Sequence, residues 1–278
     1  MEYEDNPVSI KYYVKKYLLK NRKRFEGKNI VDFPAGNGIT SRIIKETGGN
    51  PLPFDLFPEY FKVDGLRCGR ANIADGIPIG NGSADFLICQ EGIEHFADQL
   101  RALREFNRII RPGGALIITT PNYSNLRSRL SYLLMETERF NSLMPPNEID
   151  SIWMSQQDIT GEIYFGHIFL IGIQKLRLLA KLAGFKIRHI EFTRIKPTSL
   201  LLLPFLYPFI FLSSWFTYMK NRKGRNESER AIYREIFNLA INPKIMIDGH
   251  LFVEFEKVHE CKDVAATLKS RDSGFNQT

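Results

Sequence analysis

Cysteine is scarce in this chain. Cys68, Cys89 and Cys261 are the only three in 278 residues, too few and too scattered for a disulfide framework or a cysteine-based zinc site. The five histidines show no metal-ligand spacing, so no metal is expected. Neither a repeat period nor a low-complexity tract is present. Charged residues make up 25% of the chain, which excludes a polytopic membrane protein, while 44% apolar residues exclude intrinsic disorder. Residues 1–10 include Glu2, Glu4 and Asp5 and no apolar run. No secretory signal is therefore expected, and the setting is read as reduced and cytoplasmic.

What is present begins with a positive surplus. Lysine and arginine number 38 against 31 aspartates and glutamates, a net +7, which suits nucleic acid, an anionic membrane or an acidic substrate. Residues 8–25 read as an amphipathic helix, with Ile10, Tyr13, Val14, Tyr17 and Leu18 at helical spacing and seven basic residues between and beyond them. From 29 to 123 strand-like and helix-like runs alternate. Strands are expected at 29–33, 53–55, 84–89 and 115–120, and helices at 40–47 and 96–110. That rhythm implies a parallel sheet with helices on both faces. It breaks at 122–166, read as a partly helical insertion, then resumes with a helix at 173–183 and strands at 185–193 and 251–257. The organisation expected is therefore a basic helix (1–28), a nucleotide-binding core (29–121), the insertion (122–166), completion of the fold (167–260) containing a second insertion (195–249), and a tail (261–278).

Ile30 to Gly38 is a strand running into a small-residue turn that opens a helix. Gly36 and Gly38 permit close approach of a ligand to the backbone, and Thr40 is placed to help cap the helix. The carboxylate of Asp32 beside this turn disfavours a pyrophosphate and suits a ligand bearing an ammonium and a sulfonium. Asp55, at the end of the next strand, is placed to accept hydrogen bonds from both ribose hydroxyls.

These residues resemble the core of class I S-adenosylmethionine-dependent methyltransferases, in particular the subgroup with a Glu-His pair after the fourth strand. Asp32, Pro34, Ala35, Gly36, Asn37 and Gly38 resemble the family's Asp-x-Gly-x-Gly-x-Gly loop, with Pro34 in place of a glycine. Asp55 matches the ribose-binding acid. Asn72 and Ile73 match the segment along the adenine, and Gln90, Glu91, Glu94 and His95 match the end of the fourth strand and its loop. Residues 110–114 and 119–122 match the turn before the fifth strand and that strand's end. Five such motifs in order over about ninety residues make the resemblance specific. It implies a Rossmann-like α/β fold, S-adenosyl-L-methionine as cofactor, and methyl transfer.

Methyl transfer to a hydroxyl needs a base, and transfer to an unprotonated amine does not. His95, at the carboxyl edge of the sheet, is one candidate base, unless Glu94 and His95 serve to cap the following helix. His167, where the insertion returns to the fold, is the second candidate, with a structural role at a helix start as its alternative. Glu91, Asp158 and Glu162 are further carboxylate candidates. His189, His250 and His259 are assigned no chemistry.

Residues 197–219 carry no charge and are long enough to cross a bilayer, for which ~20 residues suffice. A single crossing conflicts with the fold, because the strands flanking this insertion should pair in one hairpin, and Pro204 and Pro208 are expected to interrupt a straight helix. A monotopic, in-plane or re-entrant anchor on a membrane surface through 197–225 is the favoured reading, because Lys220, Arg222, Lys223 and Arg225 follow at once. A homodimer arm and an acceptor lid are the alternatives. Late apolar insertions of this kind resemble those of bacterial surface-glycan methyltransferases. The leading expectation is therefore O-methylation of a sugar hydroxyl on a lipid-linked glycan at the cytoplasmic membrane face. Methylation of a lipophilic small molecule such as a quinone precursor, and a non-catalytic binding module, are the competing readings. No nucleic-acid target loop is present, and the surplus charge, concentrated in the first helix and at 220–225, points to a membrane surface.

Overall fold

The structure is a computed structural model that describes residues 3–137, 144–149, 151–153 and 164–269. Along the chain run α1 (Ile10–Lys20), α2 (Arg22–Phe25), β1 (Asn29–Asp32), α3 (Ile39–Glu46), β2 (Asn50–Asp55), β3 (Gly69–Arg70), β4 (Ala84–Gln90), α4 (Gln99–Ile109) and β5 (Ile110–Pro121). There follow α5 (Leu126–Met135), β6 (Ile152–Trp153), β7 (Tyr164–Phe165), α6 (Ile173–Leu182) and β8 (Phe185–Glu191). The chain continues through α7 (Pro197–Asn221), α8 (Glu227–Ala240), α9 (Pro243–Ile247), β9 (His250–Lys257) and α10 (Cys261–Lys269). Two compact units result, one of Met1–Thr120, Arg177–Glu191 and Phe252–Thr278, the other of Pro121–Leu176 and Phe192–Leu251.

Seven strands form the main sheet in the order β3-β2-β1-β4-β5-β9-β8. β1 pairs in parallel with β2 and β4, β2 with β3, and β4 with β5. The ends of β1, β2 and β4 therefore share one edge, which collects Asp32, Asp55 and Gln90. β8 and β9 pair antiparallel, as the hairpin reading requires, and β8 lies at the sheet margin. This mixed sheet with flanking helices is the Rossmann-like fold of class I methyltransferases.

In the first unit, α1 starts at its Ser9 cap and buries Ile10, Val14, Tyr17 and Leu18. The last three join Phe25, Ile30, Ile43, Ile44, Phe86, Ile88 and Phe252 in one apolar cluster. Leu18 is fully buried, and truncating such a side chain to alanine costs about 2–5 kcal/mol. The apolar face of this basic helix is thus consumed by the core. Tyr17 also donates through its hydroxyl to Glu254 on β9, and the Arg24 guanidinium pairs with the same carboxylate. Burial would raise the Glu254 carboxyl, but the bonds from Arg24 and Tyr17 outweigh it and hold it below its ordinary value.

In the second unit the two ends of the second insertion are clasped together. The Thr193 amide and hydroxyl donate to Asp248, Lys196 N donates to Ile247 O at 2.8 Å, and Gly249 N to Arg194 O at 2.9 Å. Between these ends α7 runs unbroken through Pro204 and Pro208, contrary to the expected interruption. Each proline removes one backbone donor, yet the rest of this 25-residue ladder continues on either side. The Ser199 hydroxyl ties the first turn of α7 to the first turn of α5, donating to Asn125 Oδ1 and accepting from Arg127 N. α8 begins with a capping box between Asn226 and Glu229. It packs Phe237 against Phe211, Trp215 and Tyr218 of α7.

Candidate active site

The turn between β1 and α3 is built by its glycines. Gly38 has φ +87°, and a Cβ there would come within 2.5 Å of Val63 and 2.7 Å of Phe61. Any other residue would be strained in its backbone and would have to displace these side chains. Gly36 has φ +52°, and a Cβ there would enter open space. Its amide donates to Asp55 Oδ2 at 2.7 Å, while Phe57 N donates to Asp55 Oδ1 at 2.8 Å. The acid at the end of β2 thus locks the turn after β1. Pro34 follows a cis peptide bond, and its ring occupies the space beside Gly92, where a Cβ would lie 2.3 Å from Pro34 Cδ. Ala35 N donates to Phe54 O and Gly38 N to Ala35 O, both at 2.9 Å. Asn37 accepts from Lys11 Nζ through its side chain at 3.0 Å.

Asp32 is almost wholly buried. Its Oδ2 accepts from the Ser41 hydroxyl at 2.6 Å, and its Oδ1 has no hydrogen-bond partner among the described residues. Burial pushes the carboxyl up to about 7, against the Ser41 hydrogen bond and with the help of the nearby Asp55 charge. Thr40 does not cap α3 as expected. Gly38 occupies the cap position with no side-chain bond, and the Thr40 hydroxyl instead donates to Gln90 Oε1 at 2.7 Å. Asn72 Oδ1 accepts from Ala74 N at 3.0 Å, so this side chain braces its own turn, with Ile73 half-buried beside it.

Three residues that sequence reasoning missed support these parts. The Glu105 carboxylate accepts from Ile77 N at 2.7 Å, and Arg108 donates to Ile77 O and Ile79 O. Together they fix the segment after Asn72 from α4. Lys11 is half-buried near Asp32; burial lowers its ammonium below the usual range, against attraction from Asp32 and Glu4. Nothing in the local pattern marks these three, because each acts on a segment distant in sequence.

After β4, Glu91 adopts φ +48°, a left-handed conformation that is strained for a residue with a side chain. Its carboxylate accepts from the Thr119 hydroxyl at 3.2 Å, and Glu94 accepts from that of Thr120 at 3.0 Å. Burial raises both carboxyls, and for Glu91 the Glu94 charge adds to the rise. Glu94 is fully buried, with Oε1 unpartnered among the described residues. One of its oxygens and a ring nitrogen of His95 lie within 4.8 Å. Glu94 and His95 do not cap α4; that position belongs to Asp98, which accepts from Arg101 N.

His167 sits exposed in a turn after β7 in the second unit. It lies ahead of α6 and not at a helix start. Asp158 and Glu162 lie outside the described residues. His189 bonds Glu191 on the exposed face of β8 at 2.8 Å, and burial lowers His250 to about 4, with Lys196 and Arg194 adding to the shift.

A glycine turn between parallel strands, followed by an acid at the end of the neighbouring strand, defines a nucleoside-binding Rossmann-like site. The chain belongs to the methyltransferase-domain family, whose profile matches residues 9–190. Over 182 residues it is 24% identical to a ubiquinone biosynthesis O-methyltransferase of Xanthomonas campestris pv. campestris (strain B100), covering 57% of this chain and 73% of that protein. In fold it is similar to a SAM-dependent methyltransferase from Archaeoglobus fulgidus, with TM-score 0.53, 13% identity, and 92% and 98% of the two chains covered. It is also similar to the YcgJ protein from Bacillus subtilis, with TM-score 0.52, 10% identity, and 89% and 99% covered. The protein is a methyltransferase that uses S-adenosylmethionine. The residues present fit that cofactor: Asp32 has a buried oxygen awaiting a donor, and Gly36 leaves open space where a side chain would stand.

Proposed function

We propose that the protein methylates a hydroxyl of a lipophilic acceptor, a phenol of the quinone-precursor type. The observation that carries the hydroxyl assignment is the buried Glu94 carboxylate beside His95 at the carboxyl edge of the sheet. The choice of a phenol over the expected sugar hydroxyl rests on the relative named above, an O-methyltransferase of ubiquinone biosynthesis.

When bound, the cofactor supplies an electrophilic methyl carbon on a sulfonium. Asp55 would accept from the ribose hydroxyls through the lone pairs that Gly36 N and Phe57 N leave free. Asp32 offers its unpartnered oxygen to the cationic end of the methionine moiety. The Gly36–Gly38 backbone, with Ala35, Pro34 and Asn37, would shape the wall of the site, and Asn72, Ile73 and Gln90 would line the side that takes the base. His95 takes the proton of the acceptor hydroxyl on a ring nitrogen, and the Glu94 carboxylate stabilises the imidazolium that results. Glu91 and Glu94 share a buried corner in which burial raises both carboxyls and the Glu94 charge raises Glu91 further, so like charges disfavour double ionisation there.

The test is incubation of the protein with membrane lipid extract and methyl-labelled cofactor, followed by mass spectrometry. A base-stable methyl ether on an organic-soluble phenol is the expected product. Label confined to a lipid-linked sugar would replace the phenol by the glycan reading, and label only in water-soluble compounds or protein would overturn the proposal.

A further inference from the structure

The second unit exposes apolar surface along nearly the whole of α7. Leu201, Phe205, Phe209, Leu212 and Phe216 are each more than half exposed. Their spacings of four, four, three and four place them on one stripe of the helix. The sides away from the stripe are occupied, by Ser199 against α5 and by Phe211 and Tyr218 against Phe237 of α8, while Trp215 borders the stripe, touching Phe237 and still 40% exposed. Water therefore meets an apolar stripe on a helix about 37 Å long, larger than folding of the unit explains.

Both ends of this stripe are basic. Lys220, Arg222, Lys223 and Arg225 follow it, and among the described residues Arg225 alone of the four is paired with a carboxylate, Glu229. At the other end Arg194 and Lys196 precede the helix, with Arg127 close by. Burial lowers the Lys196 ammonium, and the Arg194 and Arg127 charges lower it further, against Asp248. The Asp248 carboxylate is already engaged by Thr193, Arg194 N and His250 N.

The helix cannot cross a bilayer. The ends of the insertion are hydrogen-bonded to each other through Thr193, Lys196, Ile247 and Asp248, so a crossing needs a second span to return. α8 has 14 residues and includes Glu227, Glu229, Arg230, Arg234 and Glu235, too short and too charged to provide one.

We infer that the α7–α8 hairpin docks in the plane of an anionic lipid bilayer, with the Leu201–Phe216 stripe among the acyl chains and the basic groups at its two ends on headgroup phosphates. An in-plane helix satisfies every feature at once. Its apolar stripe enters the boundary between headgroups and chains, its two ends remain at one depth, and α8 stays on the water side. The basic ends select an anionic surface. The docking stands apart from the methyl-transfer reading, since it uses no residue of the cofactor site.

The experiment is flotation of the full chain with phosphatidylcholine vesicles, with and without phosphatidylglycerol. Fluorescence of Trp215 is followed in parallel in a Trp153→Phe background, which leaves it the single tryptophan. Binding to the phosphatidylglycerol vesicles, weakened by salt, and a blue shift of Trp215 are expected. Phe205→Glu/Phe209→Glu, both at exposed positions, should lower vesicle partitioning by at least about ten-fold while circular dichroism and cofactor binding stay unchanged. Lys220→Glu/Lys223→Glu should remove the preference for phosphatidylglycerol. Failure to float with a native-like circular dichroism spectrum would overturn the inference. So would a dimer, seen by sedimentation, that the double glutamate variant dissociates without any vesicle binding. Either result leaves the methyl-transfer reading intact, because that is measured by cofactor binding and product formation in detergent.

Discussion

Replacing Asp32 by asparagine should stabilise the cofactor-free protein at alkaline pH. In the folded chain this buried carboxyl holds its proton to about pH 7, whereas the ordinary value is 3.8. Between those values the folded state binds a proton that the unfolded state has released, so this group's contribution to stability falls as pH rises through the interval. Above it the penalty levels at about 4 kcal/mol. Asparagine keeps the shape of the protonated acid and never ionises. Urea unfolding of wild type and Asp32→Asn across the pH range isolates the effect, because the other carboxyls cancel in the difference. The variant should match wild type near pH 4 and exceed it by several kcal/mol near pH 8. Cofactor should reverse the order, raising the wild-type melting temperature more than the variant's at pH 8, because its cationic end compensates the buried anion. A difference independent of pH would refute the reasoning, since it would mean that Asp32 ionises equally well in both states.

The glycine turn separates folding from binding. Gly38→Ala should lower stability by about 1–3 kcal/mol, through both its positive φ and the clash with Val63 and Phe61. Gly36→Ala should cost only about 1 kcal/mol in denaturant melts yet weaken cofactor binding in calorimetry, since its methyl enters the open site. His95→Gln should reduce kcat by about 10²–10⁴ and leave cofactor affinity unchanged; an unaltered kcat would move the base elsewhere. Glu254→Gln tests the clasp between α1 and β9. The folded carboxyl lies below its ordinary value, so its contribution is full above that value and is lost as pH falls through the folded one. The wild-type advantage over Glu254→Gln in unfolding experiments should vanish in acid.

The parallel part of the fold was legible, apart from the two-residue strand β3, because its longer strands and helices carry their own periodicity and end in their own turns. The same holds for the β8–β9 hairpin and for α8, whose helical spacing is local. Other features depend on partners distant in sequence. The amphipathic pattern of α1 does not say what covers its apolar side, which is Phe86 and Phe252 among others. Thr40 looks like a helix cap, but Gln90 at the end of β4 draws its hydroxyl away. α7 looks interrupted because proline rules treat one residue at a time, whereas the helix is held by Ser199 at its start and by Phe237 along its later turns. At the site, Asp32, Gly36, Gly38 and Asp55 were legible from type and spacing. Lys11, Glu105 and Arg108 were not, since their roles exist only once α1 and α4 are in place.

Isothermal calorimetry of S-adenosylmethionine with wild type and Asp55→Ala tests most directly that the β1 turn and the β2 acid form the cofactor site. Asp55 holds the turn through Gly36 N at 2.7 Å and faces the same edge as Asp32. The prediction is saturable wild-type binding at micromolar to sub-millimolar concentration, weakened at least about ten-fold in the variant, the loss of roughly one charge-assisted hydrogen bond. Absence of wild-type binding, or equal affinity in the two proteins, would contradict the account.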